Sequence, residues 1–547
     1  MRVFFSWFVL LFSIAVFLVS CSAKTDDNTG ESSDNSSSSS SEDISISSSP
    51  SGSSSNNTTV VLGQKFQYQV TTTGTYSGTL TFSLSNHPEG MTISSSGLIE
   101  WTPTESEQIK IYSDITITIT TSSAYVFTQT FDLTVNASSA PSISGGNYHS
   151  CAMLDNGSVK CWGYNNWGQL GIDNTDNMGD NASEMAQLTG INLGTGRTAK
   201  FISAGFAHTC AVLDNGSAKC WGQMGYGQGG IDYSNSMGDN SGEMAQLIGI
   251  NLGAGRTATA ISAGFYHTCA LLDNASVKCF GRNNYGQLGI DSTTNMGNNS
   301  GEMDQLTGIN LGTGRTATAI SVGEEHTCVV LDNASVKCWG RNDYGQLGIE
   351  STSNKGGSSG DMVSLSSFNL GTGRTVKSIT SGSSHNCALL DNGAVKCWGR
   401  NSSGQLGIDS MDNKGDDSGE MASLSSINLG TGRTAISISA GYYHTCALLD
   451  NGAVKCWGFN GNGQLGIETN SNTGDSSGEM ASLSSVNLGT GRIATAIAAG
   501  YYHSCAKLDD GAVKCWGRNN YGQLGIGNTT DMGDDAGEMA SVPSVNL

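Results

Sequence analysis

Short stretches of alternating apolar and polar residues recur through most of the chain, and the clearest of them predict a β-hairpin. In one copy, Cys446–Leu449 leads into Asp450–Gly452, and Ala453–Trp457 follows. Asp-Asn-Gly suits a three-residue loop that ends on a glycine in the left-handed region. Counting back from this loop pairs Leu449 with Ala453, Leu448 with Val454, Ala447 with Lys455 and Cys446 with Cys456. The two cysteines are therefore predicted to face each other across the hairpin.

The hairpin occurs seven times at a constant interval of 59 residues. A fixed period of this length is typical of an architecture in which one supersecondary unit is repeated. In each copy the second cysteine follows the first by ten positions, as in Cys151–Cys161, Cys210–Cys220, Cys269–Cys279, Cys328–Cys338, Cys387–Cys397, Cys446–Cys456 and Cys505–Cys515. Two copies carry Asn274-Ala275 and Asn333-Ala334 in place of Asn-Gly. There, either an alanine adopts the left-handed conformation or the turn differs.

These cysteine pairs favour disulfides over a metal site. Opposed residues on neighbouring strands have Cβ atoms roughly 4.5–5.5 Å apart, close to what a disulfide needs. The alternative is zinc, since His444 shares a strand face with Cys446 and Cys456. Zinc sites usually separate their cysteines by two to four residues, and the nine intervening residues here suit a cross-strand bond better.

The N-terminus predicts export and a lipid anchor. Arg2 precedes an apolar run from Val3 to Val19, and polar sequence begins after Cys21. Such a run with an immediate cleavage signature is typical of a secretory signal, and residues 18–21 resemble the lipobox of bacterial lipoproteins. Of fifteen cysteines, seven pairs leave Cys21 alone, as lipidation requires. We interpret residues 1–21 as a lipoprotein signal peptide and residues 22–58, rich in Ser and Asn, as a disordered tether.

Residues 59–137 contain no cysteine and show strong period-two alternation, for example over Phe66–Val70, Ile115–Ile119 and Phe127–Val135. Several such strands in a short segment predict an all-β sandwich. The segment His87–Ile93, followed by Gly97–Thr104, resembles the Ig-like, cadherin-like domains of bacterial surface proteins. That resemblance implies a spacer or an adhesion module, and we favour the spacer.

The repeats over residues 141–547 resemble the regulator-of-chromosome-condensation repeat. Its marks are the Gly-x-x-His-[Thr/Ser] start, the Trp-Gly pair and the Tyr-Gly-Gln-Leu-Gly segment, as at Tyr285–Gly289. Asn386 replaces the Thr/Ser once, Phe280 replaces the Trp once and Gly229 replaces the Leu once. Seven copies imply a seven-bladed β-propeller, so the chain as a whole is predicted to be all-β. The Gly-Arg pair occurs only six times, which suggests that strands from both ends of the repeat region share one blade.

The two residues before each repeat histidine vary between copies, and five of the seven pairs include an aromatic residue. Exposed aromatic residues on clustered loops are typical of a recognition surface. The family's geometry implies that these loops surround the central channel, so the aromatic residues either bind a partner or only cover its mouth. The candidate binding residues are Tyr148, Phe206, Phe265, Tyr266, Tyr442, Tyr443, Tyr501 and Tyr502. The histidine, present in every copy, is predicted to be structural.

A polar loop in each copy ends on an acidic residue. These residues are Glu184, Glu243, Glu302, Asp361, Glu420, Glu479 and Glu538. Carboxylates and backbone oxygens can bind calcium, but the regular EF-hand spacing is missing and Gly356-Gly357 and Gly527 interrupt the acidic pattern. Capping of a helical turn or closing of the loop is the favoured interpretation, with calcium as the alternative. No other cofactor or metal is predicted.

A formal net charge of −21 argues against nucleic acid, which requires a basic surface. No asymmetric cluster of acid, base and nucleophile and no phosphate-binding loop is present, so an enzyme is not predicted. The sequence favours a monomeric binding module, lipid-anchored at a bacterial outer membrane or cell surface, that recognises an extracytoplasmic protein or glycan. One alternative is an enzyme inhibitor, since secreted β-lactamase-inhibitor propellers have a similar fold. A polysaccharide lyase or hydrolase is the other.

Overall fold

A computed structural model describes residues 43–47, 57–61, 66–76, 78–103, 111–136 and 143–547. The predicted signal peptide, Cys21 and most of the predicted tether lie outside the described residues. In the described part of the chain, no helix has the length and apolar character that a membrane span requires.

The N-terminal domain is a β-sandwich, as its alternating pattern predicts. Its strands are β1 (Asp43–Ile46), β2 (Asn57–Val61), β3 (Phe66–Gln69), β4 (Thr72–Thr75), β5 (Leu80–Ser85), β6 (Thr92–Ile93), β7 (Leu98–Trp101), β8 (Ile111–Thr121) and β9 (Val126–Asn136). One sheet has the order β2-β9-β8-β5 and the other β3-β7-β6, while β1 pairs with β4. Apolar residues on alternate positions, such as Ile115, Ile117 and Phe131, fill the core between the sheets.

Strand β1 lies inside the segment that the sequence assigns to the tether, so the predicted boundary at residue 58 is too late. Ile44 is 95% buried, with 5% of its surface exposed, and β1 pairs antiparallel with β4 from Asp43 opposite Thr75 to Ile46 opposite Thr72. Ile44 and Ile46 form only a short alternating pattern, and serine-rich sequence lies on both sides of it. The composition of this segment is therefore that of a tether even though it contains a strand. The sandwich therefore includes the strand Asp43–Ile46.

Residues 143–547 form seven antiparallel three-stranded sheets, the blades of the propeller. The blades comprise β10 (Ile143–Gly145), β11 (His149–Met153) and β12 (Val159–Gly163); β13 (Ala199–Ala204), β14 (His208–Leu213) and β15 (Ala218–Gly222); β16 (Ala258–Ala263), β17 (His267–Leu272) and β18 (Val277–Gly281); β19 (Ala317–Val322), β20 (His326–Leu331) and β21 (Val336–Gly340); β22 (Val376–Ser381), β23 (His385–Leu390) and β24 (Val395–Gly399); β25 (Ala435–Ala440), β26 (His444–Leu449) and β27 (Val454–Gly458); and β28 (Ala494–Ala499), β29 (His503–Leu508) and β30 (Val513–Gly517).

Each blade is followed by a single helical turn and then by an outer segment that returns to the blade's third strand. The turns are α1 (Glu184–Gln187), α2 (Glu243–Gln246), α3 (Glu302–Gln305), α4 (Asp361–Ser364), α5 (Glu420–Ser423), α6 (Glu479–Ser482) and α7 (Glu538–Ser541). In the first blade, the backbone N–H of Ile191 donates to Val159 O at 2.8 Å, and in the last blade Val545 donates to Val513 O at 2.8 Å. This pairing supplies the outer edge of each blade.

The hairpin register is confirmed, and so are all seven disulfides. In the sixth blade Ala447 pairs with Lys455, Leu448 with Val454 and Cys446 with Cys456. Because Leu449 N–H donates to Ala453 O at 2.8 Å, the cysteines three pairs further along the hairpin fall on a closely spaced, non-hydrogen-bonded pair. Their Cα atoms lie 4.0–4.1 Å apart in every copy.

The two unusual turns keep the same shape as the others. Gly452 has φ of 77°, while Ala275 and Ala334 adopt φ of 60° and 62°. Of the two possibilities left open by the sequence, the left-handed alanine is therefore the correct one. This conformation costs roughly 1–2 kcal/mol for a residue with a Cβ, and the disulfide across the hairpin holds the turn in register.

Adjacent blades share their hydrophobic cores. Trp221 of the second blade is fully buried against Val159, Leu170 and Ile191 of the first. Its indole N–H donates to Gln169 O at 3.0 Å, and the same bond recurs at five other tryptophans. Burial and a repeated hydrogen bond thus fix each blade against its neighbour.

The expectation that both ends of the repeat region share one blade is wrong. Strand β10 pairs with β11 of its own copy, and the outer segment at Val545 pairs with Val513, also of its own copy. Every blade therefore comes from one continuous repeat. The Gly-Arg pair, as at Arg197, lies in the connection from the outer segment of one blade to the first strand of the next. Seven blades have six such connections, which explains the count.

The seventh blade packs directly against the first. The backbone N–H of Tyr501 donates to Gly146 O at 2.9 Å, and His503 Nε2 lies 2.8 Å from Ser150 Oγ. A mixed core that includes Trp162 of the first blade and Leu524 of the seventh fills the junction. These contacts close the ring.

Candidate functional site

The repeat histidines form a closed circle of hydrogen bonds between blades, which agrees with a structural role. Each ring is fully buried, and its Nε2 reaches a side chain of the next blade at 2.8–3.0 Å. The pairs are His149–Thr209, His208–Thr268, His267–Thr327, His326–Asn386, His385–Thr445, His444–Ser504 and His503–Ser150. All seven histidines are therefore occupied in holding the ring together.

The partners of these histidines determine where the ring protons lie. Thr209 donates its hydroxyl proton to Gln169 O at 2.8 Å, so it can only accept a proton from His149 Nε2. His326 Nε2 also carries its proton, because its partner Asn386 Oδ1 can only accept, while Asn386 Nδ2 donates to Gln346 O. The opposite nitrogen, Nδ1, has no hydrogen-bond partner at any of the seven repeat histidines, all of which the structure describes. Burial lowers the pKa of each imidazole, to about 3 for His149 and about 4 for His326.

A glycine three residues before each histidine brings the following loop close to the axis. A Cβ at Gly500 would overlap the His503 ring, and one at Gly146 would overlap His149. The chain can therefore turn there only over a bare glycine. This turn places the two variable residues on the loop that leads from the first to the second strand of the blade.

The first residue of each variable pair lines a cavity of about 110 Å³ on the propeller axis. These residues are Asn147, Phe206, Phe265, Glu324, Ser383, Tyr442 and Tyr501. Phe206 stacks on Phe265 with ring centroids 3.7 Å apart, and Tyr442 stacks on Tyr501 at 3.6 Å. Tyr501 lies 6.0 Å from Phe206 and 6.2 Å from Phe265. The four rings therefore form one cluster, which we call the axial aromatic cluster.

The second residue of each pair lies further out and contacts side chains that follow the Trp-Gly pair. Tyr148 lies 5.1 Å from Tyr521 and 6.5 Å from Tyr501, and Tyr502 lies 5.1 Å from Tyr501. The eight predicted binding residues thus form one connected set of ring contacts. The polar residues at the equivalent positions of the fourth and fifth blades do not belong to this set. The structure places them together; it leaves their role as a proposal.

Sequence reasoning missed four arginines that lie between these rings. Arg400 stands 4.7 Å from the Tyr443 ring centroid and 4.8 Å from that of Tyr344. Arg518 lies 5.1 Å from Tyr148 and 5.7 Å from Tyr502. Arg282 and Arg341 occupy the equivalent positions in their blades. All four directly follow the Trp-Gly or Phe-Gly pair, so comparing the copies at that position would have found them.

The fourth and fifth blades interrupt the aromatic surface with a polar network. Glu325 is 93% buried, at 7% exposure, and its carboxylate contacts Arg282 at 3.1 Å and Arg341 at 2.8 Å. The neighbouring Glu324 accepts a hydrogen bond from Ser383 Oγ at 2.7 Å. Burial raises the pKa of Glu324 above its usual range. Two adjacent carboxylates therefore have opposite surroundings, one between two cations and the other facing the axis.

The acidic loop residues close their own loops. The Glu184 carboxylate accepts the backbone N–H groups of Gly179 at 2.8 Å and Asn181 at 3.0 Å. Although burial acts to raise it, hydrogen bonds from Asn181 and Gly179 hold the pKa of Glu184 below its usual value. Glu184 therefore closes its own loop, whereas the helical turn α1 has no side-chain hydrogen bond at its N-cap. Within residues 43–547 as far as they are described, no three His, Cys, Asp or Glu side chains are arranged to hold a metal ion.

A second set of acidic residues joins each blade to the next. Asp173 Oδ1 accepts the backbone N–H of Met244, which lies in the helical turn of the next blade, at 2.8 Å. The same bond recurs in each of the following five repeats, at Asp232, Asp291, Glu350, Asp409 and Glu468. At the seventh position Gly527 donates to Gly179 O at 3.0 Å instead.

The disulfides also exclude the zinc alternative, because the cysteine sulfurs are bonded to each other.

Comparison with known proteins agrees with this architecture. The Regulator of chromosome condensation (RCC1) repeat family matches residues 142–169, 199–228, 258–287, 317–346, 376–405, 435–464 and 494–523, and a second model of that description matches 392–448 and 510–544. Residues 44–136 match the family described as "Putative Ig domain". Both assignments agree with the resemblances found in the sequence.

Two curated relatives illustrate the range of similarity. The ultraviolet-B receptor UVR8 of Arabidopsis thaliana is 28% identical over 71% of this chain and 79% of its own length. Protein pim1 of Schizosaccharomyces pombe is 29% identical over 59% of this chain and 59% of its own. Each is a relative whose function is its own.

Among solved structures, yeast RCC1 (Prp20) bound to Kap60 matches with a TM-score of 0.54 at 19% identity, covering 71% of this chain and 82% of that one. Human WBSCR16 matches with a TM-score of 0.53 at 18% identity, over 68% and 86%. At such identities the likeness shows the propeller fold alone.

Proposed function

The chain belongs to the regulator of chromosome condensation (RCC1) repeat family, and on that premise we propose that it is a non-enzymatic binding module of a bacterial cell envelope. The propeller presents its aromatic face to an extracytoplasmic protein or glycan. A lipid on Cys21 holds the chain at the membrane, and the β-sandwich spaces the propeller from it.

The observation that carries this proposal is the concentration of aromatic and arginine side chains on one set of loops. Tyr, Phe and Arg are the residue types enriched where proteins bind partners. Here they come from several blades and contact one another, as Tyr148, Tyr502 and Arg518 do. A rigid frame of disulfides and buried histidines lies directly beneath them. A surface so constructed can bind a partner with little loss of conformational freedom.

The relatives support a protein partner in particular. The yeast RCC1 structure contains Kap60, and another solved structure concerns the binding of Prp20p to Gsp1p and histones. Those partners belong to those proteins. What carries over is that a propeller of this family can serve as a protein-binding scaffold.

Removing part of the aromatic face should weaken binding without unfolding the propeller. Tyr443 and Tyr502 are half-buried side chains of adjacent blades, and truncating a hot-spot side chain costs more than about 1–2 kcal/mol. We expect the full chain with Tyr443→Ala and Tyr502→Ala to capture its partner from envelope extracts at least about tenfold less well. Calorimetric titration of the captured partner measures the loss.

The control must carry the same substitution elsewhere. Tyr76 and Tyr125 of the sandwich are exposed, so Tyr76→Ala with Tyr125→Ala should leave capture unchanged. Ser383 and Ser384 occupy the equivalent positions of the fifth blade, but both are buried and therefore unsuitable as a control. Equal capture by the two tyrosine double variants would mean that the aromatic residues only cover the channel. Protease and glycosidase treatment of the extract then distinguish a protein partner from a glycan.

The anchor is tested separately. We expect Cys21→Ala to move the protein from the membrane pellet to the soluble extracytoplasmic fraction, because the thiol that would carry the lipid is gone. Cys21→Ala leaves the seven disulfides intact, so the released protein should retain its melting temperature. A variant that stays in the membrane pellet after a high-salt wash would contradict the lipid anchor.

A further inference from the structure

The axial cavity combines aromatic walls with a carboxylate. The axial aromatic cluster supplies four of the seven residues at its mouth, and Glu324 is among the remaining three. The faces of aromatic rings carry negative electrostatic potential, which attracts cations. A carboxylate beside such rings adds full negative charge to the same space. Both features favour a positively charged occupant.

Glu324 has no cation of its own. Among the described residues it forms no ion pair, and its hydrogen-bond donors are the neutral hydroxyl groups of Ser383 and Tyr442. The guanidinium of Arg341, which acts electrostatically on Glu324, is already shared between Glu325 at 2.8 Å and Asp343 at 2.7 Å. Burial raises the pKa of Glu324, and Arg341 only partly offsets that effect. A half-buried carboxylate without a cation is costly unless something compensates it.

Two further acceptors at the cavity have no hydrogen-bond donor. Asn147 is 96% buried, with 4% of its surface exposed, and its Oδ1 is unpartnered among the described residues, as is Ser381 Oγ. Both residues line the cavity. A buried acceptor left unbonded costs about 1–3 kcal/mol. Together with the carboxylate of Glu324, the cavity therefore offers a ligand three groups that can accept a hydrogen bond.

We propose that the axial cavity binds a primary ammonium group. An ammonium supplies one positive charge for Glu324, N–H donors for Asn147 and Ser381, and a cation for the ring faces. Its compact head suits a space of about 110 Å³. A quaternary ammonium would leave the acceptors unbonded, and a neutral alcohol would leave the carboxylate uncompensated.

This inference rests on the proposed function in its location, since the cavity opens on the face that would meet a partner. The ammonium group has two sources, a lysine side chain of a protein partner or a free alkylamine. The chemistry that recognises it is the same in both cases, so probes of different size are needed to separate them.

The test uses the full chain and three small probes of similar size at neutral pH. We expect calorimetric binding of n-butylammonium, at least tenfold weaker binding of tetramethylammonium and no binding of n-butanol. Glu324→Gln should abolish the n-butylammonium signal while raising the melting temperature, because an unpaired half-buried charge is removed. Glu325→Gln is the matched control, because it makes the same chemical change at the neighbouring residue, which already lies between two arginines. This variant should retain binding. Tyr442→Leu, which removes one ring face, should weaken it.

The outcomes separate the sources and the two proposals. Tighter binding of the blocked tripeptide acetyl-Gly-Lys-Gly-amide than of n-butylammonium supports a lysine of a protein partner, and equal or weaker binding of the peptide supports a free amine. No binding of either probe, or equal binding by Glu324→Gln, would overturn the ammonium site. Partner capture that depends on Tyr443 and Tyr502 would then still stand, so failure of this site is distinguishable from failure of the proposed function.

Discussion

Mild acid is expected to unfold the propeller between pH 6.5 and pH 5. Its seven histidines are neutral in the fold, where burial lowers their pKa values to about 3 or 4, against about 6.5 in an unfolded chain. The unfolded chain therefore binds more protons in this range, and the free energy of unfolding falls as the pH falls. Stability is fully present above pH 6.5, and at pH 5 each histidine has cost about 2 kcal/mol.

Seven such losses sum to about 14 kcal/mol, which is close to the upper end of the stability of about 5–15 kcal/mol typical of a domain. Thermal unfolding followed at half-unit steps from pH 7.5 to pH 5 measures the effect, mostly above the range where ordinary carboxyl groups titrate. The sandwich provides an internal control, because its single histidine, His87, is exposed. His385→Gln should reduce the dependence on pH by about one proton, or 1.4 kcal/mol per pH unit. A propeller transition that stays constant down to pH 5 would show that these imidazoles are not held neutral.

Reduction of the disulfides is expected to lower the stability of the propeller by a comparable amount. Each bond closes a loop between cysteines ten positions apart, and in the chain-entropy model such a loop contributes up to about 2.7 kcal/mol. Seven bonds act on one cooperative ring, so treatment with a strong reductant in mild denaturant should lower its melting temperature by tens of degrees. Calorimetry with and without reductant measures this shift.

The sandwich again serves as the control, since residues 59–137 contain no cysteine and the transition of that domain should not move. Thiol counting on the denatured, non-reduced protein checks the bonds themselves. None of the fourteen hairpin cysteines should react. Fourteen reactive thiols would remove the basis of the prediction.

The blade could be predicted from the sequence because its determinants are local. A three-residue turn and strict alternation fix the register from Cys446 to Cys456, and an error of one residue would have moved the cysteines to opposite faces. The disulfides, the left-handed glycines and the structural histidine follow from the same local pattern. Because the repeat occurs seven times, one correct prediction of the hairpin applies to all seven blades.

The assembly of the ring and the chemistry of its axis could not be predicted in this way. The Gly-Arg count was read as evidence of a shared blade, although Arg197 lies on a connection between blades. Glu324 and Asn147 belong to blades that are not neighbours in sequence, and only the closed ring brings them to one cavity. Whether the Glu324 carboxylate has a cationic partner depends on Arg341, which forms its ion pair with Glu325 instead. That pairing depends on distances in the folded ring, which the sequence does not contain.

The spacing of the cysteines also bears on how the chain can oxidise during the export that we propose for it. Within a hairpin the partners are ten positions apart, whereas Cys161 and Cys210 of successive hairpins are separated by 49. Loop-closure statistics alone favour the shorter contact by about tenfold. As the chain emerges from the translocation machinery, each first cysteine meets its native partner before any other unpaired thiol arrives. Oxidation in order of emergence therefore produces the native set directly, and a disulfide oxidase suffices where shuffled pairs would have required an isomerase.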